Sequence, residues 1–332
     1  MTKEHFLCYL VSKRQGPPRG EVRECRIDEL PQGEVLVRVA YSSLNYKDAL
    51  SATGHPGVTR KFPHVPGIDA AGTVAQSRST RCREGDEVIV TGFDQGQNTW
   101  GGYAEYVRVP ADWVVPLPPG MTLRESMIYG TAGLTAGLSL LALAERGIVP
   151  GRGEVVVTGA SGGVGSLAVA LLAKAGYQAV ASTGKASAHD LLLKLGASRI
   201  VSRDDVLDAS DKPLLPERWW GVIDTVGGRT LGTLVRSTER GGCVAACGLV
   251  GGVEVPLTVY PFILRGVDLV GIDSPECPAD RRRAVWQKLA GQWKPAGLDL
   301  LAREVNLKEL DASIQQILAG QVTGRILVTP TA

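Results

Sequence analysis

The segment that most restricts the fold is a glycine-rich loop at residues 159–165, which reads Gly-Ala-Ser-Gly-Gly-Val-Gly. It directly follows a β-branched run at 154–158 and directly precedes a Leu- and Ala-rich stretch of helical period at 166–175. Glycines let the backbone turn tightly and approach a pyrophosphate, and the amides at a helix N-terminus face the phosphate charge. Because strand, loop and helix come in the required order, the segment predicts dinucleotide binding rather than an ordinary glycine-rich turn.

The residues around this loop alternate between strand and helix patterns. A helix is predicted at 126–146, ahead of the loop. Strands are predicted at 154–158, 178–182, 199–202, 221–226, 243–247 and 269–272, and helices at 166–175, 188–195 and 231–237. Such alternation is typical of a doubly wound parallel sheet of the Rossmann type.

The first third of the chain has a different pattern. Polar and apolar residues alternate at 34–40, and short apolar runs at 69–74, 86–90 and 103–109 are separated by Gly and Pro at short intervals. This spacing predicts a sandwich or barrel-like β unit. The C-terminal part changes again, with helices predicted at 281–294 and 310–319 and a strand at 324–328.

The residues after the second predicted strand indicate which dinucleotide is bound. NAD sites usually place an acid about 20 residues after the loop to hold the ribose 2′-hydroxyl. Here Thr183, Gly184 and Lys185 follow the strand, no acid occurs before Asp190, and Arg203 follows the third strand. Adjacent strand ends converge on the adenosine ribose, so Lys185 and Arg203 could bind a 2′-phosphate. The alternative is that both are ordinary basic residues at the surface. The missing acid favours NADPH.

Composition and charge exclude several classes of protein. The chain has 332 residues, 44% of them hydrophobic and 21% charged, with a net charge of +2. This balance demands neither a nucleic acid nor an acidic membrane as partner. The N-terminal apolar run is too short for a secretory signal, and no continuous apolar stretch approaches the roughly eighteen residues of a membrane span. Six scattered cysteines without a CxxC pair predict free thiols and a cytoplasmic location.

Motifs along nearly the whole chain resemble the quinone-oxidoreductase-like branch of the medium-chain dehydrogenase/reductase superfamily, and within it the bacterial acryloyl-CoA reductases most. The motifs that carry this resemblance are Asn45-Tyr-Lys-Asp48, Pro66-Gly-Ile-Asp69, Trp100-Gly-Gly102, Gly130-Thr-Ala-Gly133, residues 157–165, Ile223-Asp-Thr-Val-Gly227, residues 242–248 and Pro261-Phe-Ile-Leu-Arg265. The resemblance implies a GroES-like β-rich catalytic domain at 1–125 and 276–332 around a Rossmann NADP-binding domain at 126–275. It also implies a homodimer joined through the Rossmann sheets.

The resemblance further implies where the cofactor lies. Tyr46 would lie by the nicotinamide, Ser161, Gly162, Gly163 and Val164 would hold the pyrophosphate, and Leu249, Ile263 and Ser274 would line the track from adenine to nicotinamide. Thr183, Gly184, Lys185 and Arg203 would hold the 2′-phosphate, in agreement with the residue-based argument. One departure is Ala319, which precedes Gly320 where the family carries an Asn. A side-chain contact is lost there, although a backbone contact could survive.

Zinc ligands of the related alcohol dehydrogenases are missing. Those enzymes use a Cys and a His-Glu pair in their first domain. The corresponding stretches here, residues 43–48 and 66–72, contain neither Cys nor His. His55 and His64 are isolated, and a lone His is usually not a metal ligand. The sequence therefore predicts a zinc-independent enzyme with no metal site.

The implied reaction is the NADPH-dependent reduction of the C=C bond of a 2-enoyl thioester, most simply acryloyl-CoA to propionyl-CoA. Asn45 and Tyr46 are the candidates for orienting and polarising the substrate, Tyr46 could relay a proton, and Asp48 could order the loop. Arg325 could meet the enolate or a substrate phosphate, or it could be a surface residue. For the other three, local turn, capping and packing roles are the alternative.

Two other functions stay open. The first is reduction of a quinone or small enone on the same fold, and the second is a non-catalytic NADPH-binding module.

Overall fold

The computed structural model describes residues 4–13 and 16–331. The strands are β1 His5–Ser12, β2 Arg19–Arg26, β3 Val35–Leu44, β4 Asp69–Ser77, β5 Glu87–Thr91, β6 Tyr106–Val109, β7 Val114–Pro116, β8 Glu154–Val157, β9 Gln178–Ser182, β10 Arg199–Val201, β11 Trp219–Asp224, β12 Thr238–Ala246, β13 Asp268–Gly271, β14 Ala302–Asn306 and β15 Arg325–Thr329. The helices are α1 Tyr46–Ala52, α2 Leu123–Glu145, α3 Gly163–Lys174, α4 His189–Lys194, α5 Gly228–Ser237, α6 Tyr260–Arg265, α7 Ala279–Ala290 and α8 Leu310–Leu318.

The chain divides into two compact units. The β-rich unit comprises Met1–Thr131, Pro275–Arg283 and Leu301–Ala332, and the parallel-sheet unit comprises Ala132–Ser274 and Ala284–Leu300. The division predicted from sequence, at 126 and 275, differs because residues 284–300 pack with the parallel-sheet unit. A Cβ on Gly137 would lie 2.6 Å from Cγ1 of Val285. The missing side chain at Gly137 therefore lets the second half of α7 approach α2 closely.

The β-rich unit contains a seven-stranded sheet in the order β14-β15-β3-β4-β5-β7, with β6 also paired to β3. β1 and β2 form a separate antiparallel hairpin. Its apolar side chains pack with those of α1, β15 and α8 in one buried cluster. The sequence patterns did not predict β1, because its continuous apolar run lacks the alternation that marks a strand with one solvent-exposed face.

The parallel-sheet unit contains six parallel strands in the order β10-β9-β8-β11-β12-β13. Its buried core is made largely of Val and Leu side chains from the strands and α5, as expected for a sheet covered on both faces. The order places β8 at the centre, where the strand order reverses. In such sheets, ligands bind beyond the carboxyl ends of the strands at that point. The predicted doubly wound sheet is confirmed.

Helix α2 is long and apolar enough to cross a membrane by length and composition, so the expectation that no stretch approaches the length of a membrane span was wrong. Within the fold, 83% of its most apolar window is buried. It also bends at Gly130, whose φ of 51° and ψ of −155° are not helical. Burial of this extent is typical of a core helix.

Candidate active site

A cluster of buried polar side chains lies where three strands of the β-rich unit meet. β3 ends at Leu44 just before α1, β15 begins at Arg325, and their antiparallel register pairs Leu44 with Ile326. β4, which also pairs with β3, begins at Asp69. Strand register therefore brings together residues far apart in the chain.

Asn45 and Asp48 hold the start of α1. Oδ2 of Asp48 accepts hydrogen bonds from the backbone N–H of Asn45 at 2.8 Å and from Nδ2 of Asn45 at 3.2 Å. Its Oδ1 accepts from the backbone N–H of Ile68 at 2.8 Å. A carboxylate at the third helical position that accepts from the N-cap backbone is one half of a capping box, and it stabilises the first turn. The predicted loop-ordering role of Asp48 agrees with these contacts.

Asp69 lies beside this turn and accepts hydrogen bonds on both oxygens. Its Oδ2 accepts from Oγ of Ser43 at 2.6 Å and from Nδ2 of Asn45 at 2.8 Å. Its Oδ1 accepts from the hydroxyl of Thr131 at 2.6 Å and from the backbone N–H of Thr131 at 2.9 Å. The sequence analysis assigned no role to Asp69, Ser43 or Thr131. The available signal was an acid at the first position of an otherwise apolar buried strand.

Arg325 supplies the positive charge in the cluster. Its guanidinium donates to the carbonyl oxygen of Ile128 at 3.0 Å, Oδ1 of Asn45 at 3.1 Å and Oγ of Ser43 at 2.9 Å. Its Nη2 lies 3.9 Å from Oδ2 of Asp69. Arg325 is only 3% exposed. The alternative that Arg325 lies on the surface is wrong, because the side chain is buried and its donors bond inside the protein. Its contact with an enolate or a substrate phosphate stays a prediction.

The bend in α2 makes room for these groups. A Cβ on Gly130 would lie 2.6 Å from Oγ of Ser43, 2.9 Å from Nη2 of Arg325 and closer still to Oδ2 of Asp69. Its φ of 51° is also one that a side chain disfavours. Glycine is therefore required at this position by both space and backbone conformation.

Burial shifts several ionisation equilibria in the cluster. Burial and the neighbouring Asp69 charge raise the pKa of Asp48 to about 6. Burial also raises the pKa of Tyr103 well above its usual value, and the Asp48 charge adds to this. Burial lowers the pKa of Arg325, an effect that Asp69 and Asp48 oppose.

Tyr46 is the exposed member of the predicted catalytic set. It is the first residue of α1 and is 41% exposed, whereas Asn45 is 9% exposed and Asp48 is fully buried. The amide nitrogen of Asn45 donates to both carboxylates and its oxygen accepts from Arg325. Tyr46 therefore presents its side chain outward, while Asn45 is occupied inside the protein.

The glycine-rich loop has the geometry of a phosphate cradle. Gly162 is the N-cap of α3, and Gly163 and Val164 form its first turn. A Cβ on Gly165 would lie 2.7 Å from Cα of Ala160 and closer to the carbonyl oxygen of Gly159. Only glycine permits this close approach of helix and loop. The residues present thus fit a dinucleotide pyrophosphate at the α3 N-terminus.

Lys185 and Arg203 lie beyond the ends of β9 and β10, which pair with Val201 opposite Ser182. A Cβ on Gly184 would lie 2.6 Å from Nε of Arg203, so the Arg203 side chain passes directly over Gly184. Burial and the Arg203 charge lower the pKa of Lys185. Two cations held this close would be stabilised by a bound dianion.

Thr183 directly follows β9, as predicted. It is buried, its hydroxyl donates to Oγ of Ser161 at 3.1 Å, and it accepts from the backbone N–H of Lys185 at 3.1 Å. Thr183 therefore ties the glycine-rich loop to the turn that carries Lys185. Its contact with the 2′-phosphate stays a prediction.

The remaining predicted cofactor residues lie on separate elements. Leu249 and Ile263 are exposed, the former just after β12 and the latter on α6. Ser274 is buried and accepts a hydrogen bond from Oγ1 of Thr135 at 2.8 Å. Gly320 follows α8 with a φ of 68°. Their contacts with a cofactor stay predictions.

Two family models match the chain. The alcohol dehydrogenase GroES-like domain matches residues 31–119, in the β-rich unit. The zinc-binding dehydrogenase model matches residues 163–291, which include most of the parallel-sheet unit.

Near full-length similarities extend both matches. The chain is 49% identical to the putative quinone oxidoreductase YhfP of Bacillus subtilis, over 92% of this chain and 93% of that protein. It is 48% identical to the probable acrylyl-CoA reductase AcuI of Escherichia coli, over 96% and 98%. The Salmonella enterica yhdH oxidoreductase in complex with NADP superposes with a TM-score of 0.95 at 47% identity, over 97% and 99%. YhfP with NAD bound superposes with a TM-score of 0.96 at 46% identity, over 98% and 100%.

Proposed function

Because the chain belongs to the quinone-oxidoreductase-like branch of the medium-chain dehydrogenase/reductase superfamily, we propose that it reduces the C=C bond of a 2-enoyl thioester with NADPH. The most specific substrate is acryloyl-CoA, which yields propionyl-CoA. The observation that carries this substrate is the 48% identity to the probable acrylyl-CoA reductase AcuI of Escherichia coli over 96% of the chain. The fold alone does not identify the hydride acceptor, because proteins with the same fold catalyse many different reactions.

NADPH supplies the hydride when it is bound. Ser161, Gly162, Gly163 and Val164 would hold its pyrophosphate, and Lys185 and Arg203 would hold the 2′-phosphate. The support is the close approach of loop and helix at Gly165 and the paired cations across Gly184. The Salmonella enterica structure is a complex with NADP, in agreement with this proposal, whereas the B. subtilis structure has NAD bound.

Tyr46 is the residue we assign to the substrate. When hydride reaches the β-carbon of the enoyl thioester, negative charge develops on the thioester oxygen, and a proton must reach the α-carbon. A positioned donor at the oxygen lowers such a barrier by a few kcal/mol. Tyr46 is exposed and can donate, whereas the donors of Asn45 and Arg325 are engaged internally.

We also propose that the reaction needs no zinc, although one matching family model is named for zinc binding. Within the described residues, no group of three or more His, Cys, Asp or Glu side chains is arranged to hold a metal ion. The two buried carboxylates, Asp48 and Asp69, instead share the amide of Asn45, whose oxygen meets the guanidinium of Arg325. A guanidinium cannot ligate a cation and would repel one. The donor set therefore does not fit zinc.

A cytoplasmic location and a homodimer belong to the same proposal. All six cysteines are free thiols, and five are buried, which suits a reducing compartment. β13 is an edge strand of the parallel sheet, and Leu269 on it is exposed. Such an edge can pair with a second copy.

Quinone reduction is the second candidate, and the 49% identity to YhfP favours it. The test is NADPH oxidation followed at 340 nm with acryloyl-CoA, crotonyl-CoA and a benzoquinone in parallel, with NADH as the cofactor control. We expect fast turnover with acryloyl-CoA and NADPH. Turnover with benzoquinone alone would overturn the thioester assignment, and silence with every acceptor would favour the non-catalytic module.

A further inference from the structure

We propose that Asp69 is a positioning residue for the reduction: it fixes the amide of Asn45 and, through it, the first turn of α1 that presents Tyr46. The inference rests on the proposed role of Tyr46. Asp69 is fully buried, so it acts through its neighbours and does not touch the substrate.

Charge fixes the orientation of the Asn45 amide. Carboxylates only accept hydrogen bonds and guanidinium only donates them. The Asn45 nitrogen faces Asp48 and Asp69 at 3.2 and 2.8 Å, and its oxygen faces Arg325 at 3.1 Å. A flipped amide would place its oxygen against two carboxylates and its protons against a cation, so one orientation is strongly preferred.

Asp69 is itself held by hydrogen bonds from several parts of the chain. Four donor groups from three residues surround its carboxylate, and these residues come from β3, from the start of α1 and from α2 beside its bend. Their sequence separations from Asp69 are 26, 24 and 62 residues. Asp69, at the start of β4, therefore joins β3 and α2 to the turn that carries Tyr46. A neutral amide in its place accepts on one atom only and presents its own protons to the other donors.

The charge of Asp69 also acts on the neighbouring carboxyl of Asp48. Asp48 caps the same turn, and the Asp69 charge is the second cause of the raised pKa of Asp48, after burial. Removing the Asp69 charge should lower the pKa of Asp48. Tyr103 and Arg325 are the other ionisable groups that act on or are acted on by Asp48. The pKa of Asp48 is therefore a readout that would not change if Asp69 acted by packing alone.

The experiment compares Asp69→Asn, Tyr46→Phe and the double variant with wild type. Glu105→Gln is the matched control, because Glu105 is a buried carboxyl of the same unit that accepts from the backbone N–H of Leu7, outside the cluster. kcat and KM for acryloyl-CoA are measured at saturating NADPH, and NADPH affinity is measured by fluorescence. The acid limb of the pH–stability curve is recorded for each protein.

We expect Asp69→Asn to lower kcat at least tenfold, with KM and NADPH affinity within about threefold of wild type. Glu105→Gln should keep kcat within twofold. If Asp69 acts through Tyr46, adding Asp69→Asn to Tyr46→Phe should lower kcat little further. In Asp69→Asn, the inflection of the pH–stability curve that Asp48 causes should move to lower pH. Unchanged kcat in Asp69→Asn, or independent losses that multiply in the double variant, would overturn the proposal.

Three further measurements keep the outcome decisive. If Asp69→Asn does not fold, Ser43→Ala removes one donor to Asp69 and is combined with Tyr46→Phe in the same cycle. If the enzyme reduces benzoquinone and not acryloyl-CoA, the same double-variant cycle is run with benzoquinone. The proposed substrate can then be wrong while the role of Asp69 is still tested. Without turnover, 19F NMR of 3-fluorotyrosine-labelled protein reports Tyr46, assigned by its loss in Tyr46→Phe. A shift in Asp69→Asn but not in Glu105→Gln is expected, and no shift would contradict the proposal.

Discussion

Individual residues of the cluster show how the same chemical groups serve structure and catalysis. Asn, Asp and Arg are frequent in active sites, and they are also the residues that cap helices and satisfy buried backbone groups. Here burial separates the two roles. Asn45, Asp48 and Arg325 are enclosed and bonded to one another or to backbone, and Tyr46 beside them is exposed.

The absent side chain at Gly130 leads to a stability prediction. Gly130→Ala should destabilise the β-rich unit by at least about 2 kcal/mol, because the methyl group would overlap the cluster and the backbone φ is positive. Gly85→Ala is the control, since its φ of 93° is also positive but nothing lies within 4 Å of the added Cβ. Chemical denaturation of both variants checks this. Equal losses, each about 1 kcal/mol, would mean that conformation alone matters.

The buried carboxyl of Asp48 leads to a pH prediction. Its folded pKa of about 6 lies above its ordinary value of 3.8, so the folded state retains a proton that the unfolded chain releases between these pH values. This contribution is present at low pH and is lost as pH rises through about 6, by up to about 3 kcal/mol. Asp48→Asn should flatten this part of the curve, measured by urea denaturation at a series of pH values. An unchanged slope between pH 4 and 6 would contradict it.

At the scale of elements, the pairing of β9 with β10 brings together the two cations that we propose to hold the 2′-phosphate. The parallel register places the turn after Ser182 beside the residues after Val201. That neighbourhood brings Lys185 and Arg203 together although 18 positions separate them in the sequence. Thr183, between strand and turn, fixes the turn to Ser161 of the phosphate loop.

Replacing both cations should change the preference between NADPH and NADH. In the variant Lys185→Ala/Arg203→Ala, kcat/KM for NADPH should fall about 100-fold or more, because each charge-assisted hydrogen bond contributes about 1.5–3 kcal/mol. The value for NADH should change little. Lys194→Ala, which removes an exposed lysine in the last turn of α4, is the control. A parallel fall with both cofactors would mean that the bases do not recognise the 2′-phosphate.

At the scale of the whole molecule, the parallel sheet ends at an open edge. α6 leads into β13 and exposes Tyr260, Ile263 and Leu264, and Leu269 on β13 is 40% exposed. Apolar groups beside an unpaired edge strand suit association with a second copy. Ile263 was also predicted to line the cofactor track.

The proposed homodimer should therefore depend on Leu269. Light scattering after size exclusion should give a dimer for wild type and a shift towards monomer for Leu269→Lys, because the added charge would be buried at the interface. Leu193→Lys, at an exposed leucine of α4, should leave the dimer intact. A monomeric wild type would overturn this proposal without affecting the catalytic one.

The sequence by itself determined the parallel-sheet unit and its phosphate loop. The strand, the glycines and the helix are contiguous there, so local patterns carry the information, and the strand predicted at 178–182 is confirmed as β9. Weakly patterned elements such as β1 and α1 were not predicted, because a continuous apolar run and a seven-residue helix carry little periodicity.

Only the tertiary structure decided the roles within the candidate site. Asn45 meets Asp69 across 24 residues and Arg325 across 280 residues, and strand register sets both contacts. Sequence patterns identify residue types, but whether a charge faces solvent or a buried partner depends on which strands pair. That pairing encloses Arg325, leaves Tyr46 exposed and places Asp69 where Ser43, Asn45 and Thr131 all donate to it. Contacts between such distant residues form only when the sheet assembles.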